Sequence, residues 1–325
     1  MRSLSALMVA IVLSPLGAPQ PAEAPKLKLL IAFASFKDRP KQPTIHFYEH
    51  DGVGEGKIVG SIDTVNLRSD HHPALTGDGC YCVFASELEN QKSRIFLYDR
   101  NEKKLVTQPV INDSPNAQIH PTMSGDGQVI AFAAFDRSGF SQRWDIVAYD
   151  VQAKKLLDLP KLNTAKYDER MPCLSADGRW LAYTSNAPGG AGLTDIYLYD
   201  RTERKVVALP EMNSPGLDIT PSLSEDGNLV CFVSDRPGGT GGRDVYLYDR
   251  REKKFLPLPG LNSAAHEQTP SLSPDGRFIA FVSERISGAG ERDIFLYDRQ
   301  VKKLLPTPGL NSKREEIDPC IIVLK

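Results

Sequence analysis

The stretch PSLSPDGRFIAFVS, residues 270–283, decides the fold. Asp275-Gly276 stands between two short apolar runs, and glycine tolerates the positive φ that a tight hairpin turn demands. The second run, Phe278 to Ser283, is too short for a helix and rich in residues that favour strands. Further on, DIFLYD at 293–298 forms a third run, and Lys303 to Pro306 a fourth after the charged turn DRQVK. A loop carrying LNS at 310–312 closes the unit.

The unit recurs along the chain. PSLSEDG at 221–227, PCLSADG at 172–178, PTMSGDG at 121–127 and PALTGDG at 73–79 repeat the opening, and PCIIV from Pro319 is a sixth, degraded copy. The prolines are spaced 48, 51, 49, 49 and 49 residues apart. A fixed period of this size marks a repeat architecture. The runs are almost continuously apolar, so both faces of each sheet must be covered, as happens when four-stranded sheets stack face to face around an axis. The N-terminal part supplies LLIAFAS at 29–35, IHFYEHD at 45–51 and Lys57 to Ile62, which align with strands two, three and four but have no first strand. The C-terminus supplies only a first strand, Pro319 to Leu324. Joined, they make one blade. The expected fold is therefore an all-β, six-bladed β-propeller with four antiparallel strands per blade. The C-terminal strand closes the ring by pairing with the N-terminal blade, which removes an edge that would otherwise template aggregation.

The composition agrees with this and narrows the function. Lys and Arg total 39 against 41 Asp and Glu, a net charge of −2, which excludes a basic chain built to neutralise nucleic-acid phosphates. Arg2, the apolar run Leu4 to Leu13 and Ala22-Glu23-Ala24 have the form of a signal peptide over residues 1–24, leaving 25–325 as a single propeller domain. That places the protein in the periplasm or outside the cell. The leader's apolar run is well short of the ~20 residues a membrane span needs. The five cysteines are odd in number and form no CxxC pair, so they are read as small core residues, with Cys80 and Cys82 sharing one strand.

The PxLSxDGRxIAFVS stretch followed by DIYLYD resembles the PD40, or WD40-like, repeats of the TolB-like six-bladed propellers, over essentially residues 27–325. The resemblance implies an envelope role alongside Tol–Pal-type machinery, with a peptidoglycan-associated (Pal-like) lipoprotein as the kind of partner engaged.

Two sets of residues are candidates for a ligand site at one mouth of the central channel. Three residues before the prolines stand Asp70, Gln118, Glu169, Asp218, Glu267 and Glu316. Five carboxylates at one repeat position form an expected ring of negative charge that attracts a cationic ligand, a metal or a basic peptide. The local alternative is that each acid caps backbone N–H groups or pairs with an arginine such as Arg243 or Arg292. Immediately before the prolines stand His72, His120, Met171, Thr220, Thr269 and Asp318. His72, His120 and Asp318 fall on three consecutive blades, with Asp70 and His71 nearby, and are the candidates for a metal site. No cofactor is implied. On the opposite face, turns such as DRREKK (249–254) interleave Lys and Arg with acids and lack aromatic platforms, so no nucleic-acid surface is expected there.

The chain contains no G-x-S-x-G elbow, P-loop or H-E-x-x-H motif, and no G-x-G-x-x-G opening a helix after a strand. The leading expectation is thus a non-catalytic, exported module that binds an envelope protein or peptide. The alternative is a carbohydrate-active lyase or hydrolase working at the channel mouth through His72, His120 and Asp318.

Overall fold

The computed structural model describes residues 27–63, 67–88, 92–136, 143–207, 209 and 211–324; the expected signal peptide lies outside these residues. The N-terminal part forms β1 (Lys28–Ser35), β2 (Thr44–His50) and β3 (Gly56–Ser61). The next blade is β4 (Asp70–Leu75), β5 (Tyr81–Glu87), β6 (Ser93–Asp99) and β7 (Lys104–Val106), followed by a one-turn helix α1 (Pro109–Asn112). Then come β8 (Gln118–Met123), β9 (Val129–Phe135), β10 (Trp144–Asp150) and β11 (Lys155–Leu157), and after them β12 (Glu169–Leu174), β13 (Trp180–Ser185), β14 (Asp195–Asp200) and β15 (Lys205–Val207). The fifth unit is β16 (Asp218–Leu223), β17 (Leu229–Ser234), β18 (Asp244–Asp249) and β19 (Lys254–Leu256). The sixth is β20 (Glu267–Leu272), β21 (Phe278–Ser283), β22 (Asp293–Asp298) and β23 (Lys303–Leu305), and the chain ends in β24 (Glu316–Leu324).

Six four-stranded sheets result, and one has the order β24-β1-β2-β3. The C-terminal strand runs antiparallel to β1 from Lys28↔Leu324 to Ser35↔Glu316, so the ring closes as the sequence leads one to expect. The innermost strands β4, β8, β12, β16, β20 and β24 contact one another in succession around the axis.

The repeat motif explains the first hairpin of each blade. In S-x-D-G the hydroxyl of Ser273 donates to Asp275 at 2.5 Å, while Asp275 accepts the Arg277 N–H and Ser273 Oγ accepts the Phe278 N–H. Gly276 then takes φ +72° at the turn, where an added Cβ would meet Leu229 of the preceding blade at 2.7 Å. The second strands are buried on both faces, as in Phe278–Ser283, and pack against the next sheet. Phe33, Tyr48, Phe232, Phe278 and Phe281 are all under 2 % exposed, and burying each such side chain contributes about 1.5–3 kcal/mol.

The LNS loops gain a role that the sequence alone does not show. Asn262 accepts the Val245 N–H and returns a hydrogen bond to the Val245 carbonyl, so a side chain acts as one more ladder partner for the third strand. Asn163, Asn213 and Asn311 repeat the arrangement on Ile146, Ile196 and Ile294. In the basic turns the leading aspartate caps the turn, as when Asp249 accepts the N–H groups of Arg251 and Glu252. Cys80 departs from expectation. It sits in the hairpin turn and only Cys82 is on the strand. All five cysteines are free, with Cys82 and Cys231 buried and the other three partly so. Among the described residues no helix is long and apolar enough to cross a membrane.

Candidate binding site in the central channel

The innermost strands share one irregularity, and it builds the site. In β16, Ile219 pairs with Val233 but Ser222 pairs with Cys231, so Thr220 and Pro221 together stand opposite the single residue Phe232. That is a β-bulge. The same shift occurs in the other five blades, in each case around the residue before the repeat proline and the proline itself. Proline has no N–H to give a ladder, so a bulge on a strand facing the channel is where it does least harm.

At each bulge the residue before proline takes a left-handed backbone. The φ values are 51° for His72, 53° for His120, 50° for Met171, 52° for Thr220, 39° for Thr269 and 53° for Asp318. For a non-glycine residue this conformation costs about 1–2 kcal/mol, and for β-branched threonine it is a marked outlier. Glycine would relieve it, yet none of the six positions carries one. These six residues, the prolines and the residues that follow them line an axial cavity of ≈ 200 Å³.

The carboxylate ring is placed differently. Asp70, Gln118, Glu169, Asp218, Glu267 and Glu316 are all at most 2 % exposed and do not line the cavity. Each opens its inner strand and turns into the blade. Glu267 accepts the Ser263 N–H and the hydroxyls of Ser263 and Ser283, and pairs with Arg285 at 3.1 Å. Asp218 pairs with Arg236 at 2.7 Å and accepts the Ser214 N–H. Glu169 is held by Thr164 and Ser185, and Glu316 by Ser312 and Ser35, the latter contact tying the C-terminal strand to β1. Gln118 accepts the Ile95 N–H and donates to the Ile111 carbonyl. The expected ring of charge around the mouth is therefore corrected to a set of buried capping groups. Their arginines are Arg236 and Arg285, and Arg292 pairs with Glu315 instead. Where the blade offers no such arginine, burial pushes Glu169 up to about 7 and Asp70 up to about 6.

His72, His120 and Asp318 do come together. Asp318, 9 % exposed, accepts the His72 N–H at 3.3 Å, and its Oδ2 lies 3.6 Å from His72 Nε2 and 3.8 Å from His71 Nδ1. His71 Nε2 is in turn 2.9 Å from the Ser69 hydroxyl. The rings of His72 and His120 meet edge to face, 4.5 Å between centroids. Burial lowers the pKa of His72 and, more strongly, of His120, which His72 lowers further. Burial pushes Asp318 up, but the neighbouring His72 and His71 outweigh it and hold the carboxyl well below the usual range. At neutral pH the cluster thus carries an ionised carboxylate beside neutral His72 and His120. Three polar atoms of the bulge side chains are buried without a hydrogen-bond partner: His120 Nδ1, Thr220 Oγ1 and Thr269 Oγ1. Among the described residues no three His, Cys, Asp or Glu are grouped so as to hold a metal ion.

One further element of the wall was invisible in the sequence. In five of the six blades the residue after the proline reaches the next blade: Thr122 accepts the Leu174 N–H, Ser222 the Leu272 N–H and Ser271 the Ile321 N–H, at 2.9–3.1 Å. Cys173 and Cys320 occupy the same place against the Leu223 and Leu75 N–H groups. Ala74 has no side-chain acceptor, and at that junction the His72–His120 ring contact spans the two blades instead.

Comparison with known proteins places this architecture. The chain resembles TolB from Acinetobacter baumannii at 19 % identity over 90 % of its length, with a TM-score of 0.65, and spans 66 % of that protein. It resembles a putative TolB from Agrobacterium tumefaciens at 17 % identity over 86 % of this chain and 87 % of that one, TM-score 0.56. It also resembles an oligogalacturonate lyase in complex with manganese at 11 % identity, over 86 % of this chain and 72 % of that one, TM-score 0.52. At these identities the likeness is one of fold. No curated protein matches the sequence. The TolB β-propeller domain model, PD40, matches residues 107–302, more than half of the chain. With repeat, blade count and ring closure in agreement, the chain belongs to the PD40 family of TolB β-propeller domains.

Proposed function

We propose that the protein is an exported, non-catalytic binding module of the cell envelope, which engages a protein or peptide partner at the mouth of its central channel. The observation that carries this reading is the six-fold bulge. Six non-glycine residues hold a costly backbone conformation, and their side chains line the axial cavity. Strain of this kind persists where the surroundings impose it and where a side chain is being presented. The partner proposed is of the Pal-like lipoprotein kind, on the family resemblance alone.

A photo-crosslinking residue placed at Met171, on the channel, and at Phe255, on the outer edge, tests the reading in intact envelopes. An adduct with an envelope protein is expected from Met171 and not from Phe255. Equal adducts from both positions, or none from Met171, would overturn it.

The second reading, a carbohydrate lyase or hydrolase, draws on the His72–His120–Asp318 cluster and on the fold shared with a lyase. It requires polysaccharide turnover that disappears in His72→Ala and His120→Ala.

A further inference from the structure

We infer that the channel takes one cationic side chain, a lysine or arginine presented by the partner, and that Asp318 is its counter-ion. The inference rests on the binding reading above and names the chemistry of the group bound.

Size comes first. A cavity of ≈ 200 Å³ is below the ~300–1,000 Å³ of ordinary small-molecule sites, and so suits a single side chain better than an oligosaccharide. The wall is next. Six prolines and Met171 give it an apolar lining, which matches the aliphatic stem of lysine or arginine.

Charge then selects the head group. Among the described residues Asp318 is the one carboxylate lining the cavity, and no described lysine or arginine lines it. The contacts of Asp318 with His71 and His72 fall on Oδ2, leaving Oδ1 to accept from an incoming donor. Thr269 stands on the blade to the other side of Asp318 and Thr220 one blade further, while His120 lies two blades away on the His72 side. Their three unpartnered atoms can all accept hydrogen bonds, and the two threonine hydroxyls can donate as well. An ammonium group brings three donors and a guanidinium five, with no acceptor, so a cation satisfies what the channel leaves open. A carboxylate side chain could accept from the threonine hydroxyls but would meet the ionised Asp318, and that like-charge contact disfavours it.

The test uses the full chain and three blocked tripeptides, acetyl-Gly-X-Gly-amide, with X arginine, norleucine or glutamate. Binding is read from the Met171, Thr220 and Thr269 methyl NMR signals. The arginine peptide is expected to shift these signals saturably, and the other two are not. Asp318→Asn should weaken the arginine peptide by ~10-fold or more, as expected for loss of a buried charge partner. Should Asp318→Asn fail to fold, Met171→Lys serves instead: a cation supplied from within should abolish binding while the ring persists. Norleucine or glutamate binding as well as arginine, or variants that bind like the parent, would overturn the inference. An adduct at Met171 in envelopes combined with no arginine binding would sink the cationic ligand and leave the binding module standing. Absence of both would sink the two together.

Discussion

Two rings of residues stand on the same six strands, two positions apart, and have opposite fates. The outer one, Asp70 to Glu316, looks like a ligand site in sequence because five of its six members are charged, yet it is buried, and Glu169, Asp218, Glu267 and Glu316 are taken up by Ser, Thr or Arg partners within the blades. The inner one, His72 to Asp318, looks irregular in sequence, and the bulges place it on the channel. Uniform chemistry at a repeat position here reports how each blade is held together. Variation at the neighbouring position reports what the assembled ring presents.

The sharpest way to break this contrast is to remove a paired acid. Glu267→Ala leaves the Arg285 guanidinium, 11 % exposed, without its carboxylate, and should cost about 3–5 kcal/mol in chemical denaturation. A loss below 1 kcal/mol would show that the outer ring is not structural. Next comes pH. Glu169 is raised from 4.5 to about 7 by burial, so the folded state holds its proton more tightly than the unfolded one. Its contribution is therefore full below about pH 4.5 and is lost as pH rises through about 7. Glu169→Gln should flatten the melting temperature across that window, and an unchanged pH profile would contradict the assignment. A smaller effect is expected at the inner ring. Thr269→Gly relieves a left-handed threonine and should leave stability within about 1 kcal/mol of the parent, the strain released offsetting the lost methyl and hydroxyl. The smallest change should come from His72→Ala, whose partly exposed ring fills no core; a shift of less than about 1 kcal/mol is expected by denaturation.

Much of this was legible. The proline spacing, the Asp-Gly hairpins and the complementary half-blades at the two ends led to six blades and to closure, and β24 pairs with β1 accordingly. The direction in which Glu169, Glu267 and Glu316 point was not, because an alternating strand offers either face until its neighbours are known. A clue was present in the Ser or Thr of the preceding LNS-type loop, four or five residues upstream, which supplies the capping hydroxyl. The bulge was harder to see. A residue before proline is biased toward extended backbone, so local preference argues against the left-handed conformation found at His72 or Thr220. Tertiary packing overrides it. The proline within an otherwise strand-like run was the available sign of a bulge. The clustering of His71, His72, His120 and Asp318 depends on three blades at once and only appears when the ring is closed.

One titration tests the central claim, that the position before the proline meets the partner and the position three before it does not. The arginine tripeptide is titrated into Glu169→Gln and Asp318→Asn side by side. Parent-like binding in Glu169→Gln with a loss of ~10-fold or more in Asp318→Asn is the expected result. Equal weakening in both, or weakening confined to Glu169→Gln, would contradict it.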